Sequence, residues 1–144
     1  MLAKTFFALI LVAGCVSIHA GGLSAALRWL PRRREFYAGF WHWTGVFSCL
    51  AAWMIVLHLF EIAIWALFFH WNGTMPDAAS ALYFSAVTYT TTGYGDIVLP
   101  REWRLLSGVE ALTGILMCGW STGFFFAVVT RMFDSHATED LGRR

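Results

Sequence analysis

Apolar residues dominate three long stretches of this chain, at about residues 5–27, 43–70 and 103–132. His19 and Ser24 interrupt the first. Each stretch meets or exceeds the roughly 20 residues that cross a bilayer as a helix. The second and third are long enough to imply tilt or protrusion beyond the hydrocarbon. Between them lies the polar cluster Asn72-Gly73-Thr74-Met75-Pro76-Asp77, which reads as a turn. Thr74 and Asp77 have the spacing of a capping box, and Pro76 suits a first helical turn. The pattern therefore predicts a short helix from about Pro76 to Thr90. It is too short to span. A re-entrant segment of this kind is tolerated only where protein buries it or it lines a water-filled cavity.

Composition agrees with a membrane protein. The 144 residues are 58% hydrophobic and 13% charged, against about 25% charged in soluble domains. The net charge of +1 gives no reason to expect a nucleic-acid partner. Cys15, Cys49 and Cys118 each lie in an apolar stretch without a CxxC pair. Inert buried thiols are expected, rather than zinc ligands or a disulfide framework. Charge placement sets a topology. Arg28, Arg32, Arg33 and Arg34 cluster around Pro31, and basic loops favour the cytoplasm. The N-terminus is then outside. Arg131, Arg143 and Arg144 end inside, and Lys4 votes weakly the other way. Val12-Ala13-Gly14-Cys15 resembles a lipoprotein cleavage box, and Ile18-His19-Ala20 a signal-peptidase site. Cleavage at either would turn the arginine loop outward, so the first helix is kept as structure.

After the short helix comes Thr91-Thr92-Gly93-Tyr94-Gly95-Asp96. Glycines on both sides of Tyr94 allow backbone angles that other residues resist. This run resembles the selectivity-filter signature of potassium channels, usually written T-V-G-Y-G-D. From Ser80 to about Phe133 the chain is similar to the pore module of the two-transmembrane bacterial potassium-channel family.

That resemblance implies an all-α membrane protein with three transmembrane helices, a re-entrant pore helix and a filter, assembled as a homotetramer. Residues 1–42 would be an added helix and basic loop. Residues 43–133 would be the pore module, and residues 134–144 a short cytoplasmic tail. Backbone carbonyls of Thr91, Thr92, Gly93 and Tyr94 would coordinate K+ by replacing its hydration shell. Gly95 and Asp96 would finish the outer mouth. The carboxyl end of the pore helix would present partial negative charge to the ion. The implied site is a plasma or inner membrane of a prokaryotic-type cell, with lipid and K+ as partners and no cofactor.

The chain departs from the family pattern in three places. Thr92 stands where the filter usually has Val or Ile, and its hydroxyl needs a partner behind the filter. Val87 occupies a position where several members carry a carboxylate that pairs with the aspartate. Tyr83 and Phe84 replace paired tryptophans. The Tyr83 hydroxyl is therefore expected to bond Asp96, and Thr88 to partner the Tyr94 hydroxyl. Matching the inner helix to the family places Gly114 at its hinge. Close packing through small residues, with Gly119-x-x-x-Gly123 as a GxxxG pair, is the equal alternative. Phe124, Phe125, Phe126 and Val128 are candidates for an apolar gate.

Ionisable residues inside the spans are costly and face protein or a partner. His58 and Glu61 share one helix face. With His19 they could form a proton-sensitive contact, although a structural polar cluster is the blander account. Glu110 belongs to the same set, or else bonds the back of the pore helix. A metal site has weaker support. Regularly spaced arginines of a voltage sensor are absent from the sequence, as are hydrolase or nucleotide-binding motifs. A channel rather than an enzyme is expected. A weakly selective monovalent-cation channel and a non-conducting accessory subunit are the alternatives.

Overall fold

The computed structural model describes residues 2–30 and 40–142. Four α-helices follow in order: α1 Leu2–Trp29, α2 Phe40–Trp71, α3 Ala78–Tyr89 and α4 Arg104–Gly142. A 3-10 turn, Arg101–Trp103, precedes α4. There is no strand among the described residues. Three segments, Phe6–Trp29, Phe40–Trp71 and Arg101–Arg131, are long and apolar enough to cross a membrane. This is a multi-pass membrane protein. Arg32, Arg33, Arg34, Arg143 and Arg144 lie outside the described residues.

The turn after α2 closes as the residue types dictate. Gly73 takes a left-handed φ of 65°. Its N–H donates to the His70 carbonyl at 3.0 Å, and the Thr74 N–H to Phe69 at 3.1 Å. This pair of bonds is a Schellman ending, which satisfies carbonyls the helix leaves open. The Thr74 hydroxyl adds a bond to the same Phe69 carbonyl at 2.9 Å. Thr74 thus closes α2 rather than opening α3. The N-cap of α3 is Asp77, whose carboxylate accepts from the Ser80 N–H and hydroxyl, both at 2.8 Å. Pro76 sits before the cap, not inside the first turn.

α3 folds back against α2 and α4. The Phe69 and Phe84 rings meet edge to face at 5.4 Å, and Trp65 of α2 is fully buried. α1 lies against both α2 and α4. Its start is held by Lys4, whose ammonium donates to the Glu102 carbonyl at 3.1 Å and lies 4.0 Å from the Trp103 ring centre. Lower down, the Trp53 indole donates to the Gly22 carbonyl at 3.0 Å. A Cβ on Gly22 would come within 2.4 Å of Leu57, so this glycine lets α1 approach α2 closely.

The core divides into two apolar clusters. One gathers Cys15, Trp65, Phe69, Phe84, Tyr89 and Met117 around the end of α3. The other gathers Ala26, Leu30, Leu50, Met54, Leu57 and Phe124 at the far end. Buried polar residues His19, Glu61 and Ser121 come from the three long helices.

Candidate functional site: the filter and the polar ring behind it

The filter segment leaves α3 through Thr90, whose N–H bonds the Ala86 carbonyl at 3.2 Å. Beyond it φ is positive at every second residue: 59° at Thr91, 52° at Gly93 and 76° at Gly95. Thr92 and Tyr94, between them, are not in that region. Alternating hand turns successive peptide planes the same way, so that like backbone groups converge on one side. Glycine meets this demand without strain. A β-branched residue does not, and the left-handed region costs Thr91 about 1–2 kcal/mol. Backbone bonds hold the segment in place. The Thr91 N–H donates to Thr88 at 2.9 Å, and the Gly93 N–H to Val87 at 3.0 Å. Strain retained by surrounding bonds is typical of functional backbone.

Two side-chain hydrogen bonds brace this segment. The Tyr83 hydroxyl donates to the Asp96 carboxylate at 2.7 Å, which is the bond expected from the tyrosine at that position. Hydrogen bonding to this carboxylate raises the pKa of the Tyr83 phenol. Thr92 and Thr90 hydroxyls meet at 2.9 Å. Since the Thr90 hydroxyl proton goes to the Ala86 carbonyl at 2.7 Å, Thr92 is the donor of the pair. The Thr92 hydroxyl is therefore engaged at the end of α3. The Tyr94 ring, in contrast, is 72% exposed on the single chain. Its hydroxyl does not bond Thr88, because the ring projects outward instead of packing back on α3.

α4 passes directly behind the filter. A Cβ on Gly114 would lie 1.9 Å from the Tyr89 carbonyl oxygen. Only glycine admits this approach of α4 to the end of α3. α4 is continuous through Gly114, and the close approach to Tyr89 gives this glycine a packing role. Gly119 and Gly123 have open space around them on the single chain. Phe124 is buried among α1 and α2 residues, Phe125 is partly buried against the same cluster, and Phe126 is 73% exposed. Phe124 therefore leaves the set of axis-facing gate candidates, and Phe126 stays in it.

The polar residues of the spans separate into two groups. His19 Nδ1 and Glu61 Oε1 are 3.0 Å apart. The Tyr89 hydroxyl donates to Glu61 Oε2 and lies 3.1 Å from His58 Nδ1. Both imidazole Nε2 atoms reach the Ser121 hydroxyl, at 3.1 Å from His58 and 3.2 Å from His19. The five side chains close a ring between the two apolar clusters. Glu110 is not among them. It is fully buried on α4 beside Ser85 of α3, and its carboxyl oxygens lack a well-formed hydrogen bond. This is the back-of-the-pore-helix position, not the histidine cluster. Tyr89 and Ser121 were missed from sequence. The signal that could have found them is general: a hydroxyl inside an apolar span needs a partner. Cys15 is buried, whereas Cys49 and Cys118 face outward from the chain, contrary to the expectation that all three are buried.

The family model described as "Ion channel" matches residues 54–131. That region runs from the middle of α2 through the Thr91–Asp96 segment into α4. The chain belongs to the ion-channel family of pore modules. α1 lies wholly outside the matched region and is docked onto it. No curated protein and no solved structure matches the chain.

Proposed function

We propose that this channel is potassium-selective and works as a homotetramer in the plasma or inner membrane of a prokaryotic-type cell. Its N-terminus would be outside and its C-terminus in the cytoplasm. Four copies of Thr91–Gly95 surround one axis, and K+ loses its water to the carbonyls of Thr91, Thr92, Gly93 and Tyr94. K+ is the permeant ion, and no cofactor is involved. The observation that carries this reading is the alternation of positive φ at Thr91, Gly93 and Gly95, at the carboxyl end of a helix whose dipole favours a cation. Engagement of Thr92 with Thr90 argues that the threonine does not loosen the filter. Lys4 lies beside Glu102, so the start of α1 sits at the end of the bundle where the chain leaves the filter. Arg28 lies at the opposite end of α1, in keeping with the basic loop being cytoplasmic.

The test is ion flux through purified protein in liposomes under a K+ gradient, with K+ and Na+ compared as permeant ions. K+ flux without matching Na+ flux is expected. Equal fluxes would establish a weakly selective cation channel instead. Flux of neither ion from protein carrying opening substitutions at Phe126 would point to a non-conducting subunit.

A further inference from the structure

The ring behind the filter has a proton count that its geometry fixes. Its five members are Glu61, His19, Ser121, His58 and Tyr89, joined in that order by five contacts. Each hydrogen bond needs one proton between its two atoms. Each hydroxyl brings one proton, each neutral imidazole brings one, and an ionised carboxylate brings none. With Glu61 ionised and both histidines neutral, four protons serve five bonds. One contact then fails, whichever tautomers are chosen. A single added proton completes the ring, either as a histidine imidazolium beside the carboxylate or as a protonated Glu61. Both forms carry no net charge, which suits burial in a membrane. A second added proton gives the ring a net charge of +1, which burial in a membrane disfavours. The ring is thus both complete and uncharged at one occupancy only.

We propose that this ring is a site for one exchangeable proton, and that its occupancy sets how firmly the floor of the filter is held. Resting on the filter reading above, the inference assigns a regulator to that same pore. Tyr89 is the link. It ends α3 and stands two residues before the strained Thr91. Its carbonyl is trapped against Gly114, and its hydroxyl is a ring member. When the proton leaves to bulk base, one ring bond opens and Tyr89 loses part of its hold. K+ passage falls as pH rises. The site exchanges through His58, whose side chain is 19% exposed while those of His19 and Glu61 are fully buried. The other titratable groups around Glu61 are Cys15 on α1 and Cys118 on α4, and Glu110 faces Cys15. None of these three bonds to the ring.

An amide at position 61 sharpens the test. Glutamine has one acceptor oxygen and a permanent N–H donor, so Glu61→Gln supplies the fifth proton without titrating. The experiment compares wild type with Glu61→Gln in liposomes, over about pH 5–9. It reads K+ flux and, in parallel, nitrogen-15 NMR spectra of the labelled histidines. Wild-type flux is expected to fall along a single-proton curve, together with a change in the His19 and His58 signals. Glu61→Gln should hold its acid-side flux throughout and lose that spectral change. Wild-type pH dependence in Glu61→Gln, or a flat wild-type flux across the range where the histidine signals change, would overturn the proposal. If Glu61→Gln does not fold, Ser121→Ala and Ser121→Thr replace it. The alanine should abolish the single-proton curve and the threonine restore it; the same curve in both would refute the ring. Should no variant pass ions, the channel reading fails, and the histidine spectra alone decide whether the ring binds its proton.

Discussion

Glu61 and Glu110 are two fully buried carboxyl groups on spanning helices, yet their surroundings have little in common. Glu61 is bonded by His19 and Tyr89 and lies 3.6 Å from His58. Glu110 has Ser85 beside it and no well-formed bond. Equal burial therefore does not mean equal consequence. A group that completes other residues' hydrogen bonds leaves several of them unpaired when removed. A group that completes none takes little with it.

The largest effect should come from Glu61→Leu. It leaves His19 Nδ1 and the Tyr89 hydroxyl without their partner, and each buried polar group left unpaired costs about 1–3 kcal/mol. Thermal unfolding of the purified protein in detergent should show that loss. A similar loss for Glu110→Leu would break the comparison. Next is Gly114→Ala. Gly114 lies one turn along α4 from Glu110, on the same face. The added methyl meets backbone at Tyr89, which no rotamer change relieves. Overpacking of this kind costs about 1–3 kcal/mol, and K+ flux should fall sharply. Gly119→Ala, with open space around it on the single chain, is the control. Glu110→Gln is expected to be mild, below about 1 kcal/mol, because no formed bond is lost; unfolding curves that superimpose on wild type would sharpen the contrast.

An exposed carboxylate supplies the smallest effect. Bonds from the Ser80 N–H and hydroxyl hold the Asp77 pKa below its ordinary value. Its capping contribution is therefore present at neutral pH. It is lost as pH falls through that depressed value. Asp77→Asn keeps an acceptor for the Ser80 N–H without titrating. The acid limb of its stability curve should be slightly flatter than that of wild type.

The spans were legible because a long apolar run is a direct statement about solvent. The observed α2, Phe40–Trp71, lies within a turn of the stretch read from sequence. The unusual backbone at Gly93 and Gly95 was legible because a left-handed φ leaves glycine where it is needed. The Tyr83–Asp96 bond could be anticipated because a short helix and a short segment fix that separation locally. The capping residue was misplaced because Thr74 and Asp77 are both good caps, and only the path of the chain decides which helix each serves. The Phe124 side is not written in a run of three phenylalanines. The docking of α1 was hidden for a different reason. Its bonds to Glu61 and Ser121 link residues 42 and 102 positions apart, and nothing local announces such partners.

The position of His19 also bears on how the protein is made. A chain inserted from its N-terminus delivers α1 to the bilayer before α2. Glu61 is an expensive passenger in hydrocarbon, and its partner Tyr89 has yet to be synthesised when it arrives. His19 is already there. On that order of insertion, the added helix would offer Glu61 a partner from a separate span, at 3.0 Å in the folded chain, before the pore exists.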